Sequence, residues 1–586
     1  MEYRPIAHPW FLNLRNFHKM IWQDNSLPET PELRLFFEQL NQKQPFPLQL
    51  VNLSMQRGLL TLNDLKRHFL PSIEQLHDPF LLKGMDLAVD RIVKALESGE
   101  KILLYGDYDV DGTSSVALMK LFLGDCGADV PYYVPDRFKE GYGISYEGID
   151  HAVDLGVTLM IALDCGAKAV DKVRYARERG LDMVIVDHHT VGQDAPSCVA
   201  MINPKQPDCP YPFKELPACG LALKFAQAIA SKMNDGVPDP LSRYADLATL
   251  AIASDIVQLT GENRVIASLG LEKIRKNPSA GIAALMALSE QQRSWEIEDL
   301  VFFVGPRINS AGRLYSARAS VDLLVGSGFE IEQFASDLHA FNQERKGLED
   351  LTTQEAEAML ETQPNSGKTT VLWNPSWNKG IIGIVASRLM ERVYRPTILL
   401  AESNGKYVGS GRSVVGFDLY KALEACSDHL LQFGGHQYAA GMTLEEDRLE
   451  SFRNAFEQYA ESSLLPQHLE QRLELSGQLS FADITEKFIR QTRLFGPFGP
   501  GNMEPVWVAK NVEVRDLRVL KEAHVRFFLA QAGVQIEAIG FGLARRWAQV
   551  DSTRIDIAFQ PDLKHYRGKT SIQLKIKDFK ASESLS

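Results

Sequence analysis

Asp107, Asp109 and Asp111 stand at i, i+2 and i+4 directly behind the apolar run KILLYG. Three carboxylates this close repel one another unless cations neutralise them, and hard oxygen donors suit Mg²⁺ or Mn²⁺. Taken alone, the triplet also reads as a helix N-cap with extra acids favoured by the dipole. Asp164 behind VTLMIAL adds a fourth carboxylate, Asp187, His188 and His189 behind LDMVIV add an acid and two imidazoles, and Asp255 in LAIASDIV completes the set. A lone histidine is usually structural, whereas an adjacent pair after an acid at a buried strand terminus is unusual, and imidazole binds Mn²⁺ well. Four strand ends converging in acids and imidazoles predict a centre for two divalent metal ions, Mn²⁺ or Mg²⁺. Two metals about 3.5–4 Å apart polarise a phosphoryl oxygen, deprotonate a water and stabilise a leaving alkoxide, so phosphoester hydrolysis is the natural reaction.

The elements that must position these residues follow from the pattern around them. KILLYG, DVPYYVP, VTLMIAL and LDMVIV read as buried strands, and LLKGMDLAVDRIVKALESGE and SSVALMKLFLGDCG as helices between them. Such alternation indicates a parallel sheet covered on both faces, whose ligands collect at the carboxyl ends of the strands. Residues 331–362 form a long charged pattern interrupted only by Gly347, a connecting helix. A second, smaller α/β unit follows over 363–466, with strands TTVLWN and PTILLAES and Gly-rich turns at KGIIG, GSGRS and FGGHQYAAG. From 467 to 586 the apolar residues alternate with period two, which predicts a small all-β barrel. Residues 1–78 read as a partly helical lead-in without chemistry, with PELRLFFEQL and LNDLKRHFL as its helices, and 79–330 as the catalytic domain.

Composition sets outer limits. A chain of 586 residues, 45% hydrophobic and 24% charged, suffices for roughly three or four domains. The six cysteines include no CxxC pair of the kind that opens a zinc site. No stretch approaches the roughly 20 apolar residues that span a bilayer, and MEYRPIAHPWFLNL lacks a basic end followed by an apolar run, so a cytoplasmic location is expected. A net charge of −12 argues against coating duplex DNA, but residues 510–586 carry 14 Lys and Arg against 9 Asp and Glu. A basic barrel with Phe527, Phe528, Trp547 and Tyr566 suits single-strand binding by stacking, although most of these rings are expected in the core and such a barrel also serves as a protein-interaction module.

GDYDVDG, LDCG, DHH and ASD, in this order, resemble the four motifs of the DHH phosphoesterase superfamily, and within it those of the RecJ family of bacterial exonucleases. The resemblance extends through VPDRFKEGYGIS, GPRINSAGRL, WNKGIIGIVASRL, GSGRS, GFDL, FGGHQYAAG and FGPFGPGNMEP. It implies a DHH domain, a DHHA1 domain and an OB-like barrel, and single-stranded-DNA-specific 5′→3′ exonuclease activity in repair and recombination. It further implies Asp107, Asp109, Asp111, Asp164, His188 and Asp255 as metal ligands, with Asp164 the expected bridge. Asp187 is expected to orient the imidazoles and His189 to face the scissile phosphate. The fourth motif reads LAIASD instead of a Gly-Thr-Val-Ala-Asp type of run, and Asp246 is the alternative to Asp255.

A DNA strand requires cationic donors near the metals, and Arg grips phosphate bidentately. GPRINSAGR offers Arg307, Asn309 and Arg313 in a Gly-flanked stretch that also reads as a helix start with solvated arginines. Arg137 and Tyr142 share a second Gly-rich loop. Ser410, Arg412 and His436 resemble a substrate-binding face opposite the metals; a pocket there for a terminal 5′-phosphate would make the enzyme an exonuclease. A channel between the lobes would exclude a duplex, and phosphate contacts and stacking predict weak sequence preference. Attack at phosphorus that expels the adjoining 3′-oxygen gives 5′-mononucleotides. The rivals are shorter DHH enzymes, such as nanoRNases, cyclic dinucleotide phosphodiesterases and pyrophosphatases, and non-catalytic replication scaffolds that have lost the metals. The length and basic tail argue against the former, and the intact acids and histidines against the latter. By resemblance a monomer is expected, working beside a single-strand-binding protein and a helicase and without a membrane.

Overall fold

The apolar run before the first acid cluster forms the strand Ile102–Gly106, buried at every position. The computed structural model describes residues 20–582 apart from 29, 42–45, 234–235, 292, 363–366, 551 and 567–568. The opening MEYRPIAHPWFLNL therefore lies outside the described residues. Five parallel strands lie in the spatial order Tyr132–Tyr133, Ile102–Gly106, Leu159–Leu163, Asp182–Val186 and Ala200–Ile202. Numbered along the chain this is 2-1-3-4-5, so the direction of growth reverses between Ile102–Gly106 and Leu159–Leu163. That reversal is a topological switch point, and the crevice beyond its strand ends is where open α/β sheets bind ligands. Helices Met85–Glu97, Val110–Asp125 and Ala218–Lys232 share one apolar core with the sheet.

Beyond the sheet the first lobe is helical, through Pro240–Ser254, Gly261–Lys276, Ala280–Ala287, Gly305–Leu314 and Arg318–Val325. This corrects one expectation: LAIASDIV ends a helix, not a strand, and Asp255 is the C-cap of Pro240–Ser254. The helix is buried on nearly every side, so its apolar run carries no 3.6-residue period to betray it. The 33-residue helix Glu330–Thr362 then bridges to the second lobe. There Arg345 pairs with Glu349 at 2.6 Å, and Arg388 of helix Ile382–Val393 with Glu349 at 2.6 Å.

The second sheet runs Gln432–Gly435, Ala439–Leu444, Lys406–Arg412, Thr397–Ser403, Thr370–Trp373, and only its last pair is parallel. Of the expected Gly-rich turns, GSGR lies on a strand, FGGHQYAAG is two strand ends joined by a turn at His436–Tyr438, and KGIIG is a turn that leads into a helix. The glycines serve packing: a Cβ on Gly409 would collide with Met442 Sδ. Residues 507–581 include a closed five-stranded barrel in the order Trp507–Leu520, His524–Gln531, Val534–Gly540, Lys569–Ala581, Arg554–Tyr566 and back to the first. The lead-in packs on this barrel. Leu50 and Leu53 of helix Leu48–Gln56 join its core, and Ile21–Asp24 pairs in parallel with Arg472–Leu475.

Candidate metal centre and facing cleft

The acidic turn is built by the strand-to-helix junction. Asp107 follows the strand directly, and Asp109 is the N-cap of Val110–Asp125, its carboxylate accepting the Gly112 amide at 3.1 Å. The capping reading is thus correct for Asp109 without excluding ligation. Gly112 is demanded by close approach, since a Cβ there would lie 2.5 Å from the Asp107 carbonyl oxygen. Asp111 turns inward, where its two carboxylate oxygens accept the amides of Ala218 and Cys219 at 2.7 and 2.8 Å. These are the first residues of Ala218–Lys232, so the positive end of that helix faces the carboxylate.

The other residues converge on the same crevice. Asp164 is 2% exposed and has φ +62°, a left-handed conformation that Asp and Asn tolerate better than most residues. Its backbone amide still donates to Val186 O at 2.9 Å, so the sheet ladder fixes the residue as its chain turns away. His188 Nε2 lies 3.3 Å from Asp164 Oδ1, 3.6 Å from Asp255 Oδ2 and 3.8 Å from Asp111 Oδ2. Asp107, Asp109 and Asp164 form a second group whose ligand atoms lie within 4.8 Å of one another. Asp187 instead accepts the Ala167 amide at 2.8 Å and His189 Nδ1–H at 2.7 Å. Asp246 belongs elsewhere: it pairs with Lys273 at 3.0 Å and accepts the Ser279 amide at 2.7 Å.

The charges in this crevice are poised for cations. Burial, then Asp109, pushes the Asp107 carboxyl well above its ordinary range; burial, then Asp255, does so for Asp111, and burial, then Asp111, for Asp164. His188 is pulled down to about 4 by burial, which leaves a neutral imidazole, the ligating form. Asp187 behaves oppositely: against the effect of burial, its hydrogen bond from His189 and the amides hold it at about 2. His189 is raised, because Asp187 outweighs the burial that opposes its charge. Asp107 Oδ1, Asp164 Oδ1 and Asp255 Oδ2 are buried without a hydrogen-bond partner among the described residues. Unsatisfied anionic oxygens in a buried site are costly, and hard divalent cations satisfy them, so this donor set fits two such ions.

Across the crevice stands the second lobe. His436, at the turn between Gln432–Gly435 and Ala439–Leu444, lies parallel to the His189 ring with centroids 6.1 Å apart and planes at 14°. The Tyr142 hydroxyl lies 3.1 Å from the His189 ring nitrogens and donates to Asp164 O at 3.3 Å. Arg137 lies over the Tyr108 ring at 4.8 Å. Arg313 donates to Gly380 O at 3.1 Å, and Arg412 to Ser410 Oγ at 3.0 Å. Burial, then Arg137, Arg345 and Arg412, holds the Arg313 guanidinium below its usual value, and burial, then Arg137, does so for Arg412. Arginine stays charged in proteins, so these mutually repelling cations form an anion-seeking cluster.

Not every expected substrate residue reaches the cleft. Arg307 is 4% exposed, donates to Phe303 O at 2.5 Å and His339 Nδ1 at 3.2 Å, and stacks on Phe303. It fastens Gly305–Leu314 to the bridging helix. Asn309 is half-buried on the same helix as Arg313. In the barrel Phe527 is fully buried and packs edge-on against Trp547 and Phe579, so Phe527 and Trp547 are core rings. Phe528 is half-buried beneath Arg526, and the side chain of Tyr566 lies outside the described residues. Lys168 and Lys205 escaped the sequence reading. Neither has an acidic partner in the described ion pairs, and their charges help hold His436 below its ordinary value after burial and His189. No local pattern marks them as different from other surface lysines.

A parallel-sheet switch point lined by acids and imidazoles, with arginines from both lobes beside it, defines a metal-dependent phosphoesterase of the DHH type. Family models agree along the chain: the DHH family, N-terminal domain, matches residues 101–252, the DHHA1 domain 366–462 and the RecJ OB domain 475–578. The single-stranded-DNA-specific exonuclease RecJ of Bacillus subtilis is 36% identical over 96% of this chain and 71% of its own length. That of Escherichia coli is 31% identical over 90% and 95%. The crystal structure of RecJ from Thermus thermophilus in complex with Mn²⁺ superposes with a TM-score of 0.82 at 26% identity, covering 97% of this chain and 80% of that one. Its Mg²⁺ complex gives 0.75. The chain belongs to the RecJ family.

Proposed function

We propose that this chain is a single-stranded-DNA-specific 5′→3′ exonuclease that hydrolyses phosphodiesters with two divalent ions, Mn²⁺ or Mg²⁺, and releases 5′-mononucleotides in DNA repair and recombination. The observation that carries the reading is the placement of a buried acid cluster and a half-buried guanidinium cluster around one crevice. When bound, the two ions activate water and stabilise charge on the leaving oxygen. Asp107, Asp109, Asp111, Asp164, His188 and Asp255 are assigned as ligands, and Asp164, common to the groups around Asp107 and around His188, as the bridge. Asp187 turns His189 and raises its proton affinity, so that its ring can donate to the scissile phosphate.

Arg137, Arg313, Ser410 and Arg412 are assigned to the terminal 5′-phosphate, with Asn309, Tyr142 and His436 along the adjoining strand. Fixing that end sets the cut one nucleotide in. The three matched segments fall inside a catalytic domain (79–330), a substrate-binding domain (363–466) and a strand-binding barrel (467–586), and this division, with a lead-in (1–78) and a connecting helix (331–362), belongs to the same reading. So does work as a monomer in the cytoplasm beside a single-strand-binding protein and a helicase, for which family membership is the support. No helix among the described residues is long and apolar enough to cross a membrane.

The test is digestion of labelled single-stranded and duplex oligonucleotides blocked at either end, with Mn²⁺ or Mg²⁺. Stepwise release of 5′-terminal mononucleotides from single strands is expected. Internal cuts, release from the 3′ end or full activity in EDTA would overturn the proposal.

A further inference from the structure

Asp255 is anchored unlike the other acids of the centre. Asp107 and Asp164 leave buried strands, and Asp109 and Asp111 accept amides of neighbouring helical turns. Asp255 only caps a helix, its side chain is 26% exposed, and its carboxylate accepts one amide, that of the next residue, Ile256, at 2.8 Å. Its position therefore depends on where the chain goes next. A few residues on, the chain is clamped to the segment leading into the barrel: the Leu259 amide donates to Pro500 O at 2.6 Å. Asn263 holds Gln258 O at 2.9 Å from the other side.

The clamp is tightly fitted. A Cβ on Gly499 would lie 3.1 Å from Leu259 Cδ2, and one on Gly501 3.1 Å from Thr260 Cγ2. The loop owes its shape to Asn502, which is 5% exposed and whose amide group donates to Phe495 O at 2.9 Å and Pro497 O at 2.8 Å. Arg264 of the first lobe donates to Phe495 O and Gly496 O. Arg57 of the lead-in donates to Met503 O at 2.7 Å and lies over the Phe495 ring. Three parts of the chain thus fix one short loop against the segment that carries Asp255.

We infer that the Phe495–Met503 loop is a positioning element for the metal centre, with Asn502 as its main positioning residue: it holds Asp255 in reach of the ion shared with His188 and Asp111. The barrel is then part of the catalytic frame as well as a grip on the strand. This rests on the reading of Asp255 as a ligand.

The experiment is Mn²⁺ titration of the full-length chain by calorimetry, without DNA, for the wild type, Asn502→Ala, Gly501→Ala and Asp255→Ala. Asn502→Ala slackens the loop, whereas Gly501→Ala strains it, by a side chain at a left-handed φ of +75° and a methyl against Thr260, so either decides the matter if the other does not fold. Loss of a group that orients a ligand typically weakens metal binding about 10–100-fold, and about ten-fold or more is expected here at one of the two sites. Nuclease activity should recover as Mn²⁺ is raised. Wild-type isotherms in the loop variants, even with lowered melting temperatures, would show that the loop is only glue. Retention of both sites in Asp255→Ala would overturn the ligand reading and the inference with it; loss of one site there but not in the loop variants overturns the inference alone.

Discussion

Asp164→Asn should abolish hydrolysis and yet stabilise the metal-free protein. Asp164 is 2% exposed, its Oδ1 has no hydrogen-bond partner among the described residues, and its ligand oxygen lies within 4.8 Å of those of Asp107 and Asp109. At that separation one fully ionised pair costs ~3.5 kcal/mol at an effective dielectric constant of about 20. Partial protonation relieves some of this, so removing the charge should return roughly 1–3 kcal/mol to the metal-free fold. Asparagine also tolerates the φ of +62°. Asp111→Asn lacks that gain, because its carboxylate accepts two helix-start amides and an amide side chain would set an NH₂ against one of them, at a cost of about 1–3 kcal/mol. The assay is scanning calorimetry in EDTA and again in Mn²⁺, following the transition that Mn²⁺ raises in the wild type. Asp164→Asn should melt above the wild type in EDTA and gain little from Mn²⁺, while Asp111→Asn should melt below Asp164→Asn. If Asp164→Asn melts at or below the wild type in EDTA, the crevice stores no repulsion and the case for a cation-seeking cluster fails.

Arg412→Ala should remove the preference for 5′-phosphorylated over 5′-hydroxyl ends; a hydrogen bond to a charged group is worth about 1.5–3 kcal/mol, so a roughly 10–100-fold discrimination should fall towards unity, and an unchanged ratio in paired kcat/KM measurements would refute the assignment. Arg313→Ala should raise KM for single strands, whereas Arg307→Ala should lower the melting temperature with little change in KM, as its guanidinium is spent on Phe303 and His339. Asp246→Ala should destabilise the first lobe by about 3–5 kcal/mol, since it leaves Lys273 unpaired at a partly buried site, with Mn²⁺ affinity unaffected in a titration of the folded fraction.

What could be read from the chain was whatever chemistry was written locally. The acid triplet, Asp164 and the Asp-His-His turn each follow an apolar run short enough to be a buried strand, and one strand end places its residues without reference to anything distant. Asp255 was readable as a site residue but not in its element, because LATLAIAS is buried all round and carries neither period. GSGRS looked like a turn because glycine usually marks one; here Gly409 and Gly411 are strand positions at which Met442, Leu400, Leu419 and Ile398 leave no room for a Cβ. Arg307 and Arg313 seemed equivalent because a Gly-flanked stretch that also reads as a helix start does not say which way either one faces. On a helix, six residues turn the side chain through about 240°, so one arginine faces the bridging helix and the other the cleft. The lead-in could not be placed at all, since Leu50 and Leu53 meet partners beyond Leu479.

The same limits explain why the charge balance of the site was invisible in the totals. A net charge of −12 hides two like-charge clusters, each unfavourable by itself: carboxylates driven towards protonation by burial and by one another, and guanidiniums crowded by burial and by one another. No ion pair among the described residues joins them: Arg137 and Arg313 of the first lobe and Arg412 of the second stand near enough for Arg137 to favour the ionised Asp107 and Asp109 the charged Arg313, yet out of salt-bridge reach. Only ligands of alternating sign satisfy both at once, cations against the carboxylates and phosphates between those cations and the arginines. The repulsion within each cluster thus favours ligands of the opposite sign at fixed positions, which is how a preorganised site gains its selectivity.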